Sequence, residues 1–73
     1  MGTPSNRTPV MLYTIEDYDE DRDMLASFFV QAYSDYAVLS ASENIPFAQG
    51  AVVRLVFRDD SPDEIALIDT IRT

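Results

Sequence analysis

The chain has 73 residues, thirteen carboxylates and five arginines, no lysine, histidine or cysteine, and a formal net charge of −8. That inventory leaves room for one domain with a thin core. It excludes disulfides, Cys/His zinc sites, thiol or imidazole catalysis and lysine Schiff-base chemistry. It also sets the chain against nucleic-acid phosphates and anionic membrane surfaces, both of which require clustered basic residues.

Residues 1–9 hold Pro4 and Pro9 and no large apolar residue after Met1, so they are expected to form a flexible tail, with Met11 as an alternative natural start. Residues 10–73 are expected to form a single domain. Val10 to Ile15 is short, apolar and β-rich, and predicts a strand. Six carboxylates in eight residues follow, from Glu16 to Asp23. A helix is then expected from about Asp21, capped by Asp19 or Asp21 and ending between Tyr33 and Asp35. Its apolar stripe is Met24, Leu25, Phe28, Phe29, Ala32 and Tyr36. Tyr36 to Ser42 reads as a short second strand, with extension of the helix as the alternative and Ser34-Asp35 as the break.

Glu43 to Gly50 predicts a loop with Ile45 and Phe47 tucked inward. Ala51 to Arg58 is the clearest strand, with Val53, Leu55 and Phe57 on one face and Arg54, Val56 and Arg58 on the other. Arg54 and Arg58 are expected to pair with nearby acids at the surface. A turn over Asp59 to Glu64 and a strand over Ile65 to Ile71 complete a hairpin. The summed order is β-α-(β)-β-β. It is an α+β fold, a small antiparallel sheet of three to four strands packed on one amphipathic helix. No apolar run is long enough to cross a membrane and no signal peptide is evident, so cytoplasmic residence is the default expectation.

The alternation Asp17, Asp19, Asp21, Asp23 suggests a calcium loop, but the pattern fails. The position needing glycine holds Arg22 or Met24, and the position needing glutamate holds Phe28 or Val30. No metal, cofactor or catalytic constellation is expected, and so short a chain offers little depth for a substrate pocket.

Two acidic clusters carry the functional expectation: Glu16, Asp17, Tyr18, Asp19, Glu20, Asp21 and Asp23, and Asp59, Asp60, Asp63 and Glu64. Alternate carboxylates on an extended chain lie about 6.6 Å apart, on the scale of successive backbone phosphates. Such a row suits a basic, nucleic-acid-binding partner protein, with Tyr18 as an exposed anchor. The chain is thus expected to be a non-enzymatic acidic binding protein that mimics nucleic acid. In size and charge alone it is like the small acidic inhibitors, of anti-restriction or anti-CRISPR kind, that phages and plasmids carry against host defence. The alternative is a small dimerising structural or regulatory module whose acidity serves only solubility, from a GC-rich or halophilic source. A homodimer is expected as the staple left to so small a core, and a tight one would favour the alternative. Tyr33 and Tyr36 read as residues at the rim of the core.

Overall fold

A computed structural model describes residues 9–61 and 64–73, and among them are four strands and one helix. They are β1 (Met11–Tyr18), β2 (Met24–Ala32), α1 (Asp35–Ser42), β3 (Val53–Ser61) and β4 (Glu64–Arg72). The strands form one antiparallel sheet in the order β2-β1-β3-β4. The expected α+β class holds, but the element order is β-β-α-β-β rather than β-α-(β)-β-β. The expected tail falls largely outside the described residues, as does Asp63.

Two elements change identity. The stretch expected as the helix is β2, and the stretch expected as a strand is α1. Met24 to Ala32 is apolar at both helical and strand spacing, because Phe28, Val30 and Ala32 alternate with the equally apolar Phe29. Its Phe28-Phe29-Val30 centre is β-prone, and β1 offers a partner in register from Met11↔Ala32 to Asp17↔Ala26. For the helix, the Ser34-Asp35 pair is a start signal rather than a break. Ser34 is extended, its Oγ accepts from the Ala37 N–H at 3.1 Å, and Asp35 stands in the first turn.

The remaining elements follow the expectation more closely. β1 runs on through Glu16, Asp17 and Tyr18, beyond the expected strand. β3 and β4 pair antiparallel as expected, with β3 continuing to Ser61 and β4 beginning at Glu64. Ile45 and Phe47 are partly buried in the loop after α1.

The helix covers one face of the sheet. Tyr13, Ile15, Ala32, Val38 and Val56 are buried there, with Met11, Phe28, Val30, Leu39, Ile45, Ile68 and Ile71 packed around them. A register shift beside Val56 inserts an extra residue in β4. It turns Ile68 and Ile71 towards this core while Ile65 and Leu67 point to the other face. Among the described residues, no helix is long and apolar enough to cross a membrane.

Candidate functional site

Asp17 is part of the interior and not of an acidic surface, which corrects its expected place in the partner-binding set. Alternation along β1 sends Tyr13, Ile15 and Asp17 to the helix side, where Asp17 is 0% exposed. Its carboxylate takes both ends of the Arg54 fork, from Nε at 2.6 Å and Nη2 at 2.9 Å, and accepts the Ala48 N–H at 2.9 Å. Arg54 also donates to the carbonyls of Ser42, Ile45 and Pro46, and its guanidinium lies 4.3 Å over the Phe47 ring. One buried ion pair therefore ties the end of α1 and the following loop to the middle of the sheet. The Arg54 hydrogen bonds hold the Asp17 carboxyl below its usual range, although burial opposes them. The expectation that Arg54 makes a surface pair is corrected: the partner is an acid, but the pair is buried because its face is the one α1 covers.

Asp19 builds the β1–β2 turn. Its Oδ1 accepts from the N–H groups of Asp21 at 2.8 Å and Asp23 at 2.9 Å, and its carbonyl accepts from the Arg22 N–H at 3.0 Å. Arg22 closes the turn in the left-handed region, with φ of 69°. This is the three-residue hairpin loop of a tight turn followed by one left-handed residue. Glu20, Asp21 and Asp23 remain exposed on it. Glu16 and Tyr18 point to the face away from α1. Tyr18 is half-buried rather than a free anchor, and its hydroxyl donates to Glu16 Oε1 at 2.7 Å. That bond, together with burial, raises the Tyr18 phenol above its ordinary range.

The second cluster lies at the opposite end of the sheet. β3 runs antiparallel to β1, from Tyr18↔Val53 to Tyr13↔Arg58, so Asp59 and Asp60 sit beside the start of β1 and Glu64 farther out. The β1–β2 turn and this cluster are separated by the length of a strand, about 30 Å. Asp60 pairs with Arg58, which also donates to Asp35 Oδ2 at 2.7 Å. The Tyr13 hydroxyl donates to Asp35 Oδ1 at 2.7 Å. Burial and this bond push the Tyr13 phenol up to about 12. The Tyr13 and Arg58 hydrogen bonds hold Asp35 low, and those from Asp60 and Asp35 hold Arg58 high. Asp59 is half-buried and Glu64 exposed. No continuous row of carboxylates results. Among the described residues, no group of three or more His, Cys, Asp or Glu side chains is placed to hold a metal ion.

Between the two acidic ends lies a surface the sequence reading missed. The sheet face opposite α1 presents Leu12, Phe29, Val53, Leu55, Phe57, Ile65 and Leu67, with Thr14, Glu16, Tyr18, Ser27, Gln31 and Thr70 among them and Arg72 at its end. Phe29 is 75% exposed, Ile65 66% and Leu67 55%. Val53, Leu55 and Phe57, on a central strand, are half-buried. A shallow hollow of about 130 Å³ opens between Thr14, Glu16, Phe57 and Ile65. The alternation of Val53, Leu55 and Phe57 is legible in the sequence, but Arg54 and Arg58 on the other face of β3 were expected at the surface; the structure turns that other face to α1, and assignment of Met24 to Ala32 as a helix hid Phe29 as well. Tyr33 and Tyr36, expected at the rim of the core, are instead exposed at the β2–α1 corner, 62% and 82%. Comparison with protein-family models, with curated proteins and with solved structures gave no match.

Proposed function

We propose that the chain is a non-enzymatic binding protein that docks a basic protein surface through the open sheet face, with the acidic ends of the sheet at the rim of the contact. The observation that carries this reading is the exposed apolar face flanked at both ends by carboxylates. A protein contact combines an apolar, desolvated centre with a polar rim. The centre supplies the area removed from water. The rim acids Glu20, Asp21 and Asp23 at one end, and Asp59 and Glu64 at the other, attract a cationic partner and speed its arrival.

Nucleic-acid-binding proteins are the fitting class of partner, because their binding surfaces are positively charged. The nucleic-acid likeness then lies in the sign of charge at two ends about 30 Å apart, not in a row of evenly spaced carboxylates. The hollow beside Glu16 suits one arginine or lysine side chain, with its stem against Phe57 and Ile65 and its head at the carboxylate.

The test is affinity capture at low salt, identification of the bound protein, and titration with two variants. Phe29→Ser with Leu67→Ser is expected to weaken binding by about tenfold or more. Glu20→Gln with Asp21→Asn and Asp23→Asn is expected to slow association and flatten its salt dependence. A partner that is not basic, or affinity unchanged in both variants, would contradict the reading.

A further inference from the structure

The most unusual stretch of the chain is Met24 to Ser34, eleven residues with no charged side chain, no proline and no glycine, in a chain of net charge −8. It contains the whole of β2, which is an edge strand. Edge strands ordinarily carry charges or proline that discourage further pairing. The other edge follows that rule, since β4 carries Glu64, Asp69 and Arg72. β2 has no such protection, and no described segment pairs with its outer side.

We infer that β2 is the seat of a second copy of this chain, added edge to edge and antiparallel, so that two sheets join into one of eight strands. Three features select this occupant and this direction. Pairing about the strand midpoint at Phe28 sets Phe29 against Ser27 of the second copy and Val30 against Ala26, large against small, with Phe28 meeting its own mate on the axis. The same arrangement puts the two acidic β1–β2 turns at opposite ends of the joint, about 30 Å apart and beyond the Debye length at physiological salt. A parallel joint would bring Glu20, Asp21 and Asp23 of both copies side by side. Third, one sheet of four strands offers an open face of only about 550–600 Å² by strand spacing and rise, short of the roughly 800 Å² per partner in a standard interface. Two joined sheets exceed it and present one continuous apolar surface.

The test is sedimentation of the full chain from micromolar to millimolar concentration, with salt as the discriminating variable. Self-association between copies of charge −8 strengthens as salt screens their repulsion, whereas docking of a basic partner weakens. The two readings therefore fail separately. A closed dimer is expected. Ser27→Lys with Gln31→Lys, both at exposed positions, should weaken it about tenfold or more with the circular dichroism of the fold retained.

Cysteine is absent from the chain, so single substitutions report the geometry cleanly. Ser27→Cys should cross-link between copies with a short bis-maleimide, across about 8 Å. Gln31→Cys, about 20 Å from its mate, should not. A monomer throughout, open-ended aggregation, a dimer indifferent to the lysines, or equal cross-linking at both positions would overturn the proposal.

Discussion

Asp17 and Arg54 show how one residue can look like surface in the sequence and be interior in the fold. A fully buried ion pair is costly to desolvate, and it is tolerated here because every donor of the guanidinium fork meets an acceptor. Removing one partner leaves the other charge uncompensated. Arg54→Met is expected to cost about 3–5 kcal/mol, most of the stability of so small a domain, and chemical denaturation should show a largely unfolded chain. Asp17→Asn should be damaging in the same experiment, while Asp21→Asn and Asp23→Asn change stability by about 0.5 kcal/mol or less.

The pH dependence follows from the same residues. Asp17 and Asp35 both have folded carboxyls held below the usual 3.8. Their contribution is complete above that value and is lost as pH falls through their lower folded values, so acid unfolding should begin below about pH 4. Tyr13 works at the other end of the scale. Its phenol is raised from 10.0 to about 12, so the unfolded chain loses that proton first, and stability should decline as pH rises above 10. Urea melts of Tyr13→Phe should show a shallower alkaline decline than wild type. Identical slopes would remove Tyr13 from the account.

At the scale of elements, the β1–β2 turn and the cap of α1 are the most exposed to test. Arg22 sits in a left-handed conformation that glycine adopts at little cost. Arg22→Gly is expected to stabilise the chain by about 1 kcal/mol in thermal or urea unfolding. Ser34→Ala removes the acceptor for the Ala37 N–H and should cost about 1 kcal/mol.

These two sites also mark what the sequence could and could not reveal. The β3–β4 hairpin was legible, because Val53 to Arg58 alternates cleanly and the following turn is polar. β2 and α1 were exchanged because Met24 to Ala32 satisfies two periods at once, and only pairing with β1 chooses between them. Ser34 carried a capping signal that fits a helix start better than a break. The acidic run becomes a hairpin turn over Asp19 to Asp23, where a helix start was expected from about Asp21. The outward and inward facing of Glu16 and Asp17 depended on strand continuation, which composition obscured. The surface pairing expected of Arg54 and Arg58 left the open face unread, although it is formed in part by Val53, Leu55 and Phe57. Their exposure depends on which side α1 crosses, and that is settled by Arg54 meeting Asp17 and the loop carbonyls.

For the whole molecule, charge and apolar surface are spatially sorted. One face is filled by α1, the other is apolar and open, and the exposed acids of the two clusters gather at the sheet's opposite ends. In that arrangement the end charges repel like-charged copies, while the β2 edge carries no charge of its own. The central claim is that the open face makes the contact with a basic partner. Its most direct measurement is a methyl-labelled NMR titration of the chain with the captured partner. The account expects shifts concentrated in Leu12, Leu55, Ile65 and Leu67, with Val38, Leu39 and Ile45 little changed. Shifts confined to the helix side, or to the amides of the β1–β2 turn with the open-face methyls silent, would contradict it.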